Sequence, residues 1–123
     1  LASAEQLRDV LLSATAYIHT SYIENGCNAI GEAQMVGCPC IACDVGGINM
    51  SIRDGVSGYL VPSNDVYLLA YKMAYLAKNR KEAEELGRAG RINARKRHDK
   101  VAICNRVEEI YAEILDSERR EKC

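Results

Sequence analysis

The chain has 123 residues, 48% of them hydrophobic and 27% charged, with a formal net charge of −1. That is enough chain for one domain with a real core, and the composition excludes intrinsic disorder. The Arg/Lys cluster between Arg88 and Lys100 is interleaved with glycine and alanine and has no aromatic partners, which argues against nucleic acid as a ligand.

The opening stretch LASAEQLRDVLLSATA lacks the basic region and small-residue cleavage site of a signal peptide, and no apolar run nears the ~20 residues of a membrane span. The chain therefore reads as cytoplasmic. Ser3 followed by Gln6 is a capping box, and Leu7, Val10, Leu11 and Leu12 at helical spacing predict a helix ending near Ser13. Ala16–Ser21 is short and rich in strand formers, which predicts a buried strand. From Asn28 the positions Ala29, Ile30, Ala33 and Val36 form an amphipathic helix stopped by Gly37 and Pro39. CPCIACDV is then a continuous apolar run, the pattern of a parallel strand covered on both faces. INMSIRDG predicts a short helix, and SGYLVP a third strand closed by Pro62.

The remainder is helical. Asn64 or Asp65 caps a helix carrying Leu68, Leu69, Met73 and Leu76, and its Tyr67, Tyr71 and Tyr75 mark one face, expected to be partly buried. Two more helices are predicted, from Lys81 to Arg97 and from Asp99 to Leu115, the last with Val101, Ile103, Val107, Ile110, Tyr111 and Ile114 turned inward. Strands separated by helices imply βαβ units. The predicted fold is therefore α/β: a partial Rossmann-like three-layer domain with a short parallel sheet of about three strands and flanking helices. Cys38, Cys40 and Cys43 lie close together, but no second cysteine or histidine pair follows at zinc-site spacing, so they are read as small apolar core residues and no metal is predicted. His19 reads as core or rim, and His98 as exposed.

The polar stretch SYIENGCNAIGE, between the first strand and the next helix, is the most informative. In open parallel sheets, ligands sit beyond the carboxyl ends of the strands, in loops such as Ser21 to Cys27. The helix starting at Asn28 aims unpaired N–H groups and a partial positive charge into that space, which suits a phosphate, and Gly26 lets the backbone approach. Glu32, one turn into the helix, has two acceptor oxygens for a vicinal diol. Glu24, on the other side of the phosphate, faces further hydroxyls. A phosphate between two polyols describes a nucleotide sugar.

With these features in register, the sequence resembles the C-terminal domain of the GT-B glycosyltransferases. The resemblance is to the large retaining family known as glycosyltransferase family 4, or glycosyl transferases group 1. It runs from EQLRDVLL through the E-x7-E loop, the G-x-P strand and the GG loop to the D-G-x-x-G-x-L-V-P segment. It implies that Glu24 contacts the donor sugar and takes part in catalysis, and that Glu32 holds the ribose hydroxyls. Gly26, Cys27 and Asn28 would face the diphosphate and sugar, and Gly46 and Gly47 would form the glycine pair at the cleft. Cys27 stands where many members carry glycine, and Asn49 and Met50 stand where proline and glutamate are usual.

The family's basic Arg/Lys pair and its acceptor-binding N-terminal domain are absent from residues 1–123, and three strands are found where a Rossmann-like domain has about six. The chain thus reads as the second half of the nucleotide-sugar-binding domain. The resemblance implies a parent enzyme that uses a UDP- or GDP-sugar, without a cofactor or a metal held by this chain. Its acceptor would be a glycan or a lipid-linked molecule in polysaccharide or lipopolysaccharide synthesis, and the enzyme would be peripheral at the inner membrane face. The isolated chain is expected to be inactive and to form a homo-oligomer through an exposed sheet edge or the terminal helix. The alternatives are an epimerase-like GT-B protein and a nonenzymatic α/β assembly module.

Overall fold

The computed structural model describes residues 3–121. The elements are α1 (Ala4–Ser13), β1 (Tyr17–His19), α2 (Asn28–Val36), β2 (Cys40–Cys43), a 3-10 turn (Ile48–Met50), β3 (Tyr59–Val61), α3 (Val66–Lys78), α4 (Arg80–Arg97) and α5 (Lys100–Glu121). The three strands form one parallel sheet in the order β1-β2-β3, with Ile18 opposite Ile41 and Ala42 opposite Leu60. This is the α/β three-layer architecture the sequence predicts. INMSIRDG folds as only one 3-10 turn, and each strand is shorter than its apolar run.

Local chemistry sets the boundaries. Ser3 and Gln6 close a reciprocal capping box on α1. Asp65 caps α3 by accepting from the Leu68 N–H at 2.8 Å. Gly37 ends α2 in the left-handed region at φ 84°, a conformation that only glycine adopts without strain.

The period of two along β2 divides the core. Cys40 and Ala42 face a layer made by α1, α2 and the 3-10 turn, with Leu11, Ile30, Ala33, Ile48 and Ile52. Ile41 and Cys43 face the other layer, with Leu76, Ala83 and Leu86 from α3 and α4. All four β2 residues are buried, as expected of a central parallel strand. Cys38, Cys40 and Cys43 are core residues, and burial pushes the Cys40 thiol up to about 12. Cys104 is exposed on α5, and Cys123 lies outside the described residues. Helix α4 passes close to the end of α2, where a Cβ at Gly87 would stand 2.1 Å from the Gly37 carbonyl oxygen.

Two expectations are corrected. Val101, Ile103, Val107, Ile110, Tyr111 and Ile114 are exposed, because no element among the described residues packs along α5; even Ile110 is 39% exposed. The tyrosine stripe of α3 is mostly solvated: Tyr67 and Tyr71 are exposed, and the helix buries Leu76 instead. Only Tyr75 turns toward the body, where its hydroxyl and that of Tyr59 both donate to the Glu82 carboxylate. Among the described residues, β1 pairs with β2 alone, so its other edge is open. No helix there is long and apolar enough to cross a membrane.

The Glu82 contact ties β3, α3 and α4 together and yields a pH prediction. The hydrogen bonds from Tyr59 and then Tyr75 hold the Glu82 carboxyl below its usual range, against an opposing effect of burial. A depressed folded value adds stability above the unfolded carboxyl value of about 4.3, and that stability is lost as pH falls through the folded value. Urea unfolding should therefore show Glu82→Gln less stable than the natural sequence at neutral pH, with the gap closing below about pH 4. A gap independent of pH would contradict this. The effect should be small, since Glu82 itself is only partly buried.

Candidate functional site

The sequence-predicted residues gather at the carboxyl end of the sheet. The β1–α2 loop leaves His19 and turns at Ser21, whose hydroxyl donates to the Ile23 carbonyl at 2.8 Å. It then lies directly on the loop after β2. The Gly47 N–H donates to the Glu24 carbonyl at 3.3 Å. A Cβ on Gly46 would fall 1.6 Å from that same oxygen, and one on Gly47 would fall 2.0 Å from the Asn25 carbonyl oxygen. The glycine pair therefore has a packing role that the sequence does not reveal: it lets two loops touch backbone to backbone and so fixes Glu24. At Gly26, by contrast, a Cβ would meet nothing within 4 Å, so that stretch of backbone faces open space.

Helix α2 starts beside this contact. Its N-cap is Cys27, no side chain among the described residues caps it, and its first turn carries no acid. The terminal N–H groups thus keep their partial positive charge for an outside acceptor. Asn28 is exposed at the first position. Glu32 is exposed one turn on, in a groove of about 410 Å³ between α1 and α2 that is also lined by Leu7, Arg8, Met35 and His98. His98 sits over α2, its Nε2 3.1 Å from where a Gly31 Cβ would be. Tyr17 lies between the groups: its hydroxyl is pushed up by burial first, and then by Cys27, Cys40, Glu32 and Glu24. Neither the 20–28 loop nor the 44–48 loop contains a lysine or arginine.

Three features escaped the sequence reading. His19, the last residue of β1, reaches Glu24, with its Nε2 3.3 Å from the Glu24 Oε2. Its other nitrogen, Nδ1, lies 3.6 Å from the Cys27 Sγ and 3.4 Å from the Tyr17 hydroxyl. The alternation along β1 carried this signal, since it puts His19 on the face of Tyr17, toward α2. His19, Glu24 and Cys27 bring N, O and S donors within 4.8 Å of one another, a set of the kind zinc uses. However, their closest approaches employ opposite nitrogens of the ring. The third feature is a partly buried clamp behind the glycine loop. Arg97 donates to Gln34 at 2.9 Å, and both Gln34 (3.0 Å) and Arg97 (3.4 Å) donate to the Ser51 carbonyl. It holds the end of the 3-10 turn against α2 and α4. Gln34 is fully buried, and nothing local in the sequence distinguishes it.

Residues 2–93 match the family described as glycosyl transferases group 1. The D-inositol 3-phosphate glycosyltransferase of Streptomyces bingchenggensis is 34% identical over 118 residues, covering 94% of this chain and 25% of the relative. That of Streptomyces griseus is 35% identical over 91 residues, 73% of this chain and 19% of the relative. The chain thus spans a fifth to a quarter of the length of these curated relatives. Among solved structures, the sucrose-phosphate synthase of Thermosynechococcus elongatus superposes with a TM-score of 0.79 at 26% identity, over 88% of this chain and 27% of that one. Anabaena HepE, solved with UDP-glucose, gives 0.79 at 22% identity, over 88% and 30%, which speaks to the fold.

Proposed function

Because the chain belongs to the glycosyl transferases group 1 family, we propose that it supplies donor-site residues to an enzyme that transfers a sugar from a nucleotide diphosphate sugar. The transfer retains configuration. The observation that carries this reading is the uncapped N-terminus of α2, set between Glu24 and Glu32.

The N–H groups of α2 receive the diphosphate, and the open backbone at Gly26 allows it close. Glu32 accepts from the ribose hydroxyls, and Glu24, fixed by the glycine pair, accepts from hydroxyls of the donor sugar. No residue of this site is placed as a nucleophile. Its contribution is positioning and stabilisation of charge as the diphosphate departs. A diphosphate beside two carboxylates also needs cations, and the two loops carry none. In this reading they come from the remainder of a longer protein, and the isolated chain is inactive. The acceptor as a growing glycan or lipid-linked molecule rests on the family resemblance alone. The curated relatives carry the name of an inositol phosphate acceptor, so phosphorylated polyols belong among the acceptors to be assayed.

The test is calorimetric titration of the full-length protein with UDP, GDP and their sugars. Glu32→Ala should weaken binding of the preferred nucleotide by about 1–3 kcal/mol, because the ribose loses a charged acceptor. Unchanged affinity would remove Glu32 from the site.

A further inference from the structure

The arrangement around His19 goes one step beyond the assignment of Glu24. The His19 side chain is 15% exposed and that of Glu24 26%. The Nε2 atom of His19 is buried and makes no hydrogen bond among the described residues, although the Glu24 Oε2 is only 3.3 Å away. A buried imidazole nitrogen without a partner is costly, and the described residues bring this carboxylate within reach of it. The ring itself has little freedom. It stacks on Tyr17 with centroids 6.2 Å apart and planes 25° apart, and its Nδ1 faces the Tyr17 hydroxyl and the Cys27 thiol. Both of those groups can donate to Nδ1, which leaves the proton on Nε2, pointing at Glu24.

We propose that His19 is a positioning residue: its Nε2–H holds the Glu24 carboxylate in the orientation that meets the donor sugar. A small rotation of the Glu24 side chain turns the 3.3 Å approach into a hydrogen bond, and donor binding, by drawing water from the loop, strengthens it. The chain Tyr17 or Cys27 to His19 to Glu24 transmits the order of β1 into the β1–α2 loop, which has no regular structure of its own. The proposal rests on Glu24 acting on the donor, as read above.

The experiment uses the full-length enzyme with its donor, and four variants: His19→Phe, His19→Gln, Glu24→Gln and the double variant His19→Phe/Glu24→Gln. Phenylalanine keeps the stacking on Tyr17 and removes the N–H, whereas glutamine restores an N–H near the same place. His19→Phe should lower kcat about ten- to hundredfold with a much smaller change in the KM for donor. His19→Gln should recover most of that loss, with a melting temperature no higher than that of the phenylalanine variant. The double variant should be no slower than Glu24→Gln alone, since both changes break the same link. Glu24→Gln with full activity would sink the reading of the site, and this proposal with it. A crippled Glu24→Gln beside a fully active His19→Phe would overturn the role of His19 only, as would losses that multiply in the double variant. Activity lost to a chelator and restored by zinc would overturn it in favour of a metal held by His19, Glu24 and Cys27.

Discussion

Replacing Gly46 by alanine is expected to abolish donor binding while leaving a folded protein. The new methyl carbon would lie 1.6 Å from the Glu24 carbonyl oxygen and 2.8 Å from its carbon, and the residue sits at φ 53°. Left-handed backbone costs a non-glycine residue roughly 1–2 kcal/mol, and overpacking adds roughly 1–3 kcal/mol. The contact joins two surface loops rather than two core elements. The least costly relaxation is therefore to push the 21–27 loop away, which carries Glu24 and the start of α2 out of register. Circular dichroism melting and nucleotide titration of the same sample would separate the effects. A modest drop in melting temperature with affinity lost is the expected pair, and unchanged affinity would contradict it. Gly26→Ala is the matching control. Its Cβ meets nothing within 4 Å, so stability should stay within about 0.5 kcal/mol, and any loss of donor affinity would come from the ligand side alone.

Glu24→Gln should lower turnover about hundredfold or more in the full-length enzyme, with nucleotide affinity changed far less. The carboxylate is half-buried, its main chain is pinned by the Gly47 N–H, and it stands beside the N-terminus of α2 where the leaving diphosphate would sit. A charge placed against a developing transition state contributes more there than in the ground state, and removal of one such group typically costs about a hundred- to thousandfold. Steady-state kinetics together with UDP or GDP binding would check it. An equal loss in both quantities would make Glu24 a binding residue, and no loss in either would remove it from the site.

What the sequence reveals and what it hides follow a physical division. The elements were legible because each is written locally: the Ser3/Gln6 box, the apolar CIAC run, the Gly37–Pro39 stop and the Asp65 cap all act within a few residues of themselves. That the predicted site residues gather at one end of the sheet was legible because a strand-loop-helix order puts the β1–α2 loop and the glycine loop together at the carboxyl end of a parallel sheet. Which face of a helix is covered depends on what lies opposite it. The periodic stripe of α5 therefore predicted burial that no described element provides, and the tyrosines of α3 lost the inner face to Leu76. The glycine pair shows the same limit. Its spacing marks a loop, but only the fold shows that the loop leans on Glu24 and Asn25. Gln34 and Arg97 act through partners 17 to 63 positions away, and no local pattern marks such pairs; the alternation of β1 puts His19 on the face of Tyr17, but only the fold shows that it reaches Glu24.

In the proposed function, a nucleotide diphosphate sugar sits at the N-terminus of α2 between Glu24 and Glu32. Amide hydrogen exchange of the full-length protein, with and without saturating donor, tests it most directly. Strong protection is expected, confined to residues 25–32 and the Gly46–Gly47 loop, lost in Gly46→Ala and weakened in Glu32→Ala at the same donor concentration. Donor-dependent protection elsewhere in this chain, with residues 25–32 exchanging as they do without donor, would contradict it.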